Sequence, residues 1–180
     1  MFRNSFIPLI FIPGMVLFAF QSFSGGAIPT KVLVRVVSKD AKVIGSGVGG
    51  ASVQIVNKET GETLAQGVQS GGTGDTELIM IQPHQRGRTV YGTQGAAFFM
   101  AEIPLERPTR VEISVKAPLA FPQSLQSGTK SLALIPGKDI EGEGVIIELA
   151  GLIVHILYPT PGGNHKKGEE VRVGVDVRML

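Results

Sequence analysis

The chain has 180 residues, 43% of them hydrophobic and 18% charged, with no cysteine and a formal net charge of +2. This composition is globular rather than disordered; it excludes a disulfide framework and thiol catalysis and offers no basic footprint for nucleic acid. Its 24 Gly and 11 Pro favour short strands joined by turns over long helices.

The first segment differs from the rest. Arg3 is its only charge, an apolar run from Phe6 to Phe20 follows, and Gln21 to Ala27 form a small, mostly polar tail. A positive start, an apolar centre and a small-residue exit are the order of a secretory signal peptide. Residues 1–27 are therefore assigned to a leader, and the mature protein to the periplasm or the extracellular space. Cleavage is expected after Ala27, with Ser24 as the alternative point and an uncleaved anchor as the competing reading. The run is shorter than the roughly 20 residues of a spanning helix, so no stable membrane span is expected after cleavage. Pro8 and Pro13 weaken a helix there further.

Beyond the leader the dominant pattern is period-2 alternation, which builds strands with one buried face. Val32, Val34 and Val36 share one face; Val53 and Ile55 alternate with Ser52 and Gln54. Val111, Ile113 and Val115 alternate with Arg110, Glu112, Ser114 and Lys116, and Val171 to Val177 repeat the pattern near the C-terminus. The runs Val145 to Leu149 and Leu152 to Tyr158 are more continuously apolar than the other strands, which predicts strands covered on both sides. No window carries a helical stripe. Gln82 to Gln94 reads as an exposed loop between strands, and Pro118 to Ser131 as a second irregular stretch. The expected fold is all-β: an immunoglobulin-like or transthyretin-like antiparallel β-sandwich with an additional C-terminal β-hairpin. The expected division is 28–117 for the sandwich, 118–150 for a linker and strand region, and 151–180 for the hairpin.

A family resemblance rests on two runs. Gly49-Gly50-Ala51-Ser52-Val53-Gln54-Ile55-Val56-Asn57-Lys58-Glu59-Thr60-Gly61-Glu62 resembles the second-strand hairpin of carboxypeptidase-regulatory-like domains, which read G-A-x-V-x-V and then a T-G-E turn. Pro108 to Ala117 resembles their later P-x-x-V-x-V-x-A strand. The resemblance spans residues 30 to 117 and implies a transthyretin-like sandwich of a secreted, mostly non-catalytic kind. It departs where the family has a D-x-x-G-x-F turn, since Gly72-Thr73-Gly74-Asp75-Thr76 and the long loop intervene.

Leu152 to Pro159 and Lys167 to Val173 look like the opening two strands of another immunoglobulin-like module. Two strands alone are marginally stable. The hairpin is expected to dock on the sandwich; completion by a partner and a shortened second module are the alternatives.

The chemistry-bearing candidates are few. Gly45-x-Gly47-x-x-Gly50 has a dinucleotide-binding spacing, but a strand follows it where a helix is required, so no cofactor is expected. Asp139, Glu141 and Glu143 place three carboxylates at alternate positions, a weak candidate for Ca²⁺. His84, His155 and His165 have no metal-ligand spacing between them. No G-x-S-x-G elbow exposes a nucleophile, so no enzyme is expected. His84, Arg86, Arg88 and Tyr91 in the long loop form a candidate contact surface for an acidic partner. The expected function is a protein-binding accessory or adaptor whose partner is another exported protein. A surface-assembly subunit associating through strand edges and a periplasmic metal or small-ligand carrier are the alternatives.

Overall fold

In the computed structural model, residues 26–39 and 41–180 are described; the expected leader lies outside them but for Gly26 and Ala27. Strand makes up 51% of the structure and helix 7%, as the alternation predicts. The strands among the described residues are β1 (Ile28–Ser38), β2 (Ala51–Asn57), β3 (Thr63–Gln69), β4 (Phe99–Leu105), β5 (Thr109–Ala117), β6 (Gln126–Leu134), β7 (Ile140–Leu149), β8 (Leu152–Tyr158) and β9 (Gly174–Met179).

Two sheets pack face to face. One has the order β4-β1-β7 and the other β3-β2-β5-β6. Their inward residues keep the expected parity: Val32, Val34 and Val36 of β1 meet Val53, Ile55, Val111, Ile113 and Val115 in one buried cluster. Removing each such side chain from water contributes about 1.5–3 kcal/mol, which holds the layers together without disulfides. The β2–β3 hairpin turns at Thr60-Gly61-Glu62. There Asn57 Oδ1 accepts from the Glu59 amide at 2.9 Å, and Gly61 supplies a φ of +76°.

Residues 118–150 belong to both sheets. β6 pairs with β5 along its full length, and β7 pairs with β1. The β1–β7 pair runs parallel, the one such strand pair among the described residues, because the chain crosses from one sheet to the other between β6 and β7.

The outer face of the β4-β1-β7 sheet is covered over β1, whereas Met100, Glu102 and Pro104 of β4 and Glu148 of β7 stay exposed. Val37 on that face packs with Val43, Ile79, Val90, Ala96 and Ala97, which lie in the connections before and after β2 and β3, so segment 70–98 forms a third layer. This explains why β1 is apolar on both sides. The layer includes the one α-helix among the described residues, α1 (Thr76–Met80), capped by Asp75, whose Oδ1 accepts from the Leu78 amide at 3.1 Å. A single turn is too short to show a helical stripe, so the alternation reading missed it.

Three expectations are overturned. Residues 126–131, read within an irregular stretch, open β6, and Lys167 to Val173, read as the second strand of the hairpin, precede β9, which begins at Gly174. The run Leu152 to Tyr158, predicted to be covered on both sides, has only Ile153 buried. A continuous apolar run says that a strand favours cover but does not supply the second layer, and β8 pairs only with β9.

Candidate functional site

Two regions gather side chains beyond packing needs: the β7 bulge beneath the long loop, and the β8–β9 hairpin. The bulge lies where β1 pairs Val32 with Ile140 and then Val34 with Val145. Glu141 to Gly144 thus stand opposite Leu33 alone, a loop-out made by Gly142 and Gly144 at φ +68° and +73°. It points two carbonyls at Arg35, whose Nη1 donates to Gly142 O and, at 2.8 Å, to Glu143 O. Arg35 is buried under the loop with the Phe98 ring 5.9 Å from its guanidinium carbon. Desolvation lowers its pKa from the usual value, opposed by the Glu143 carboxylate. Its Nε has no hydrogen-bond partner among the described residues.

Asp139, Glu141 and Glu143, the expected cation ligands, are drawn apart. Asp139 Oδ1 accepts from the Lys31 amide at 2.8 Å, and Glu141 lies 3.9 Å from the Lys31 ammonium. Glu143 turns toward the long loop and accepts from the amides of Val90 and, at 3.0 Å, Tyr91. Among the described residues no three His, Asp or Glu side chains converge on a metal position. The alternation that suggested a ligand set arises from the glycines of a bulge.

The loop candidates are only partly brought together. His84 and Tyr91 meet edge to face with ring centroids 6.4 Å apart, and His84 Nε2 donates to Ile79 O at 2.9 Å. Arg88 Nη1 turns to Gln82 Oε1 at 3.4 Å, and Arg86 is exposed. His155 lies on β8 opposite Asp176, and His165 in the turn beyond β8, so the histidines stay separate.

Because Glu143 ties the loop to the sheet and also neighbours a buried cation, Glu143→Ala is expected to cost about 1–3 kcal/mol. Hydrogen exchange should show the Val90 and Tyr91 amides losing about tenfold or more of their protection while β2 amides stay unchanged. Unchanged protection at Val90 and Tyr91 would refute the tether.

The hairpin is a different surface. Its base is anchored: Ile153 and Leu180 enter the main core, and Ala150 N donates to Gln126 Oε1 at 2.8 Å. One face lies toward the turn at Pro122–Ser124, where Ser124 Oγ donates to Val154 O at 3.1 Å and the Arg178 guanidinium sits 5.9 Å from the Phe121 ring centre. The other face carries three cross-strand pairs: Leu152 with Met179, Val154 with Val177, and Ile156 with Val175. These six side chains are 46–56% exposed, and nothing among the described residues covers them. Val173, 62% exposed, extends the row and lines a shallow hollow with Ile156 and the turn at Pro159 to Gly163. The sequence held the signal for this face, since positions 152, 154 and 156 and positions 173, 175 and 177 share parity.

Among known proteins, no family model, curated protein or solved structure matches the chain.

Proposed function

We propose that the chain is an exported, non-catalytic β-sandwich protein that works as a protein-binding accessory, with the open β8–β9 face as its contact surface. The observation that carries this reading is the row of six aliphatic side chains, each about half exposed, on a two-stranded hairpin. An apolar patch of a few hundred Å² marks an interaction surface on a water-facing protein. The leader pattern and the resemblance to carboxypeptidase-regulatory-like domains support export and a binding role. The long loop is the weaker contact candidate, because Glu143 and Ile79 hold it down through Val90, Tyr91 and His84.

The test places a photoreactive residue at Val154 and, as a control, at Gln54, which is exposed on β2 of the other sheet. Illumination of producing cells should give discrete protein adducts from position 154 and none above background from position 54. Equal yields at both positions would sink the proposal.

A further inference from the structure

Resting on that reading of the hairpin face, we infer that its occupant is the same face of a second copy, packed about a two-fold axis. Four features of the surface carry the inference.

The first is chemical. An isologous contact must be complementary to itself. A row of aliphatic pairs is self-complementary, whereas a row of one charge sign is not. Leu152–Met179, Val154–Val177 and Ile156–Val175 present no polar side chain at all.

The second is electrostatic. The charges of β9 lie on the opposite face, where Arg178 Nε donates to Asp176 Oδ2 at 2.7 Å. They face away from an approaching copy and neutralise each other. The distal turn carries both signs, Lys166, Lys167 and Arg172 against Glu169 and Glu170. With a whole-chain charge of +2, two copies repel each other weakly.

The third is area. Six aliphatic side chains at about half exposure offer roughly 400–500 Å² per copy, hence roughly 800–1,000 Å² for the pair, at the lower limit for a specific interface. An interface of that size belongs to weak, reversible association rather than to an obligate dimer.

The fourth is the hairpin itself. Beyond its base, β8–β9 is a two-stranded sheet whose aliphatic row meets no second layer among the described residues. Such a hairpin is marginal alone, and two of them face to face make a four-stranded, two-layer unit that covers both apolar rows.

Sedimentation velocity on the purified mature chain, from about 1 to 300 µM, tests this directly, since that range brackets a micromolar dissociation constant. The expected result is a monomer–dimer equilibrium, weakened about tenfold or more by Val177→Asp, which puts a charge in the middle of the row. A dimer unaffected by Val177→Asp would overturn the face-to-face arrangement. Because a charge in the row can also melt the hairpin, the unaltered chain gives the second readout. Hydrogen exchange at β8 and β9 amides should slow as concentration rises, and concentration-independent exchange would overturn the inference. A chain that stays monomeric throughout, yet crosslinks to a different protein from position 154, removes the second copy and leaves the contact-surface reading standing. A monomer with no crosslink removes both.

Discussion

Gln69→Leu is expected to lower the unfolding free energy by about 3 kcal/mol, a large part of the roughly 5–15 kcal/mol that holds a domain of this size. Pairing of β4 with β1 ends at Phe99 opposite Val34 and resumes as a bridge between Val37 and Val43, where the Val36 carbonyl accepts from the Ile44 amide at 3.0 Å; the Val36 amide falls in the gap between the two. Gln69 fills the gap from the other sheet. It is fully buried, its Oε1 accepts from Val36 N at 2.7 Å, and its Nε2 donates to Val36 O at 2.9 Å and Ile44 O at 2.8 Å. The side-chain amide thus fills the gap between the β4 pairing and the segment at Val43 and Ile44. Leucine nearly conserves the volume but takes the partner from the Val36 amide and the Ile44 carbonyl. Urea denaturation measures the loss, with Gln66→Leu on the exposed face of the same strand as a control expected within about 0.5 kcal/mol. A loss below about 1 kcal/mol for Gln69→Leu would mean that the buried groups find other partners.

The second large effect is expected at the bulge. Gly144 has φ +73°, and a Cβ there would lie 2.4 Å from the Leu33 carbonyl oxygen. Gly144→Ala therefore combines a left-handed backbone penalty of about 1–2 kcal/mol with a backbone clash, for a total of about 3 kcal/mol or more. Gly142 has φ +68° with open space around its Cβ position, so Gly142→Ala is expected to cost only the conformational part, about 1–2 kcal/mol. The difference between the two variants isolates the close approach. Because the bulge aims Glu143 at the loop, Gly144→Ala should also loosen the Val90 and Tyr91 amides in hydrogen exchange, and Gly142→Ala should do so far less. Equal losses from the two variants would refute the clash argument.

These two positions mark where alternation stopped being informative. Gln69 is legible only as an anomaly: it stands opposite Ala51 at an inward position, while its neighbour Val68 is turned out at 52% exposure. A polar residue at an inward position signals a buried hydrogen-bonding role, yet its partners lie 33 and 25 positions away, beyond any local pattern. The Asp139 to Glu143 run was visible but suggested a cation, because spacing alone cannot tell a ligand set from a glycine bulge. The loop residues His84, Arg86, Arg88 and Tyr91 were found as a cluster in sequence. Their dispersal depends on Glu143 and Ile79, which the folded chain brings to them.

Sequence by itself determined the all-β class and the place and parity of β1, β2 and β5, because the two-residue repeat of side-chain direction is a property of the extended backbone and needs no distant partner; β3, β4 and β6 carried no such legible repeat. Tertiary structure decided what lies against each face. The same apolar alternation is core in β1, where segment 70–98 and the second sheet cover it, and open surface in β8 and β9, where no layer among the described residues does. Parity is local, but cover is made by segments far apart in the chain, and the candidate contact surface of this protein is the place where the two diverge.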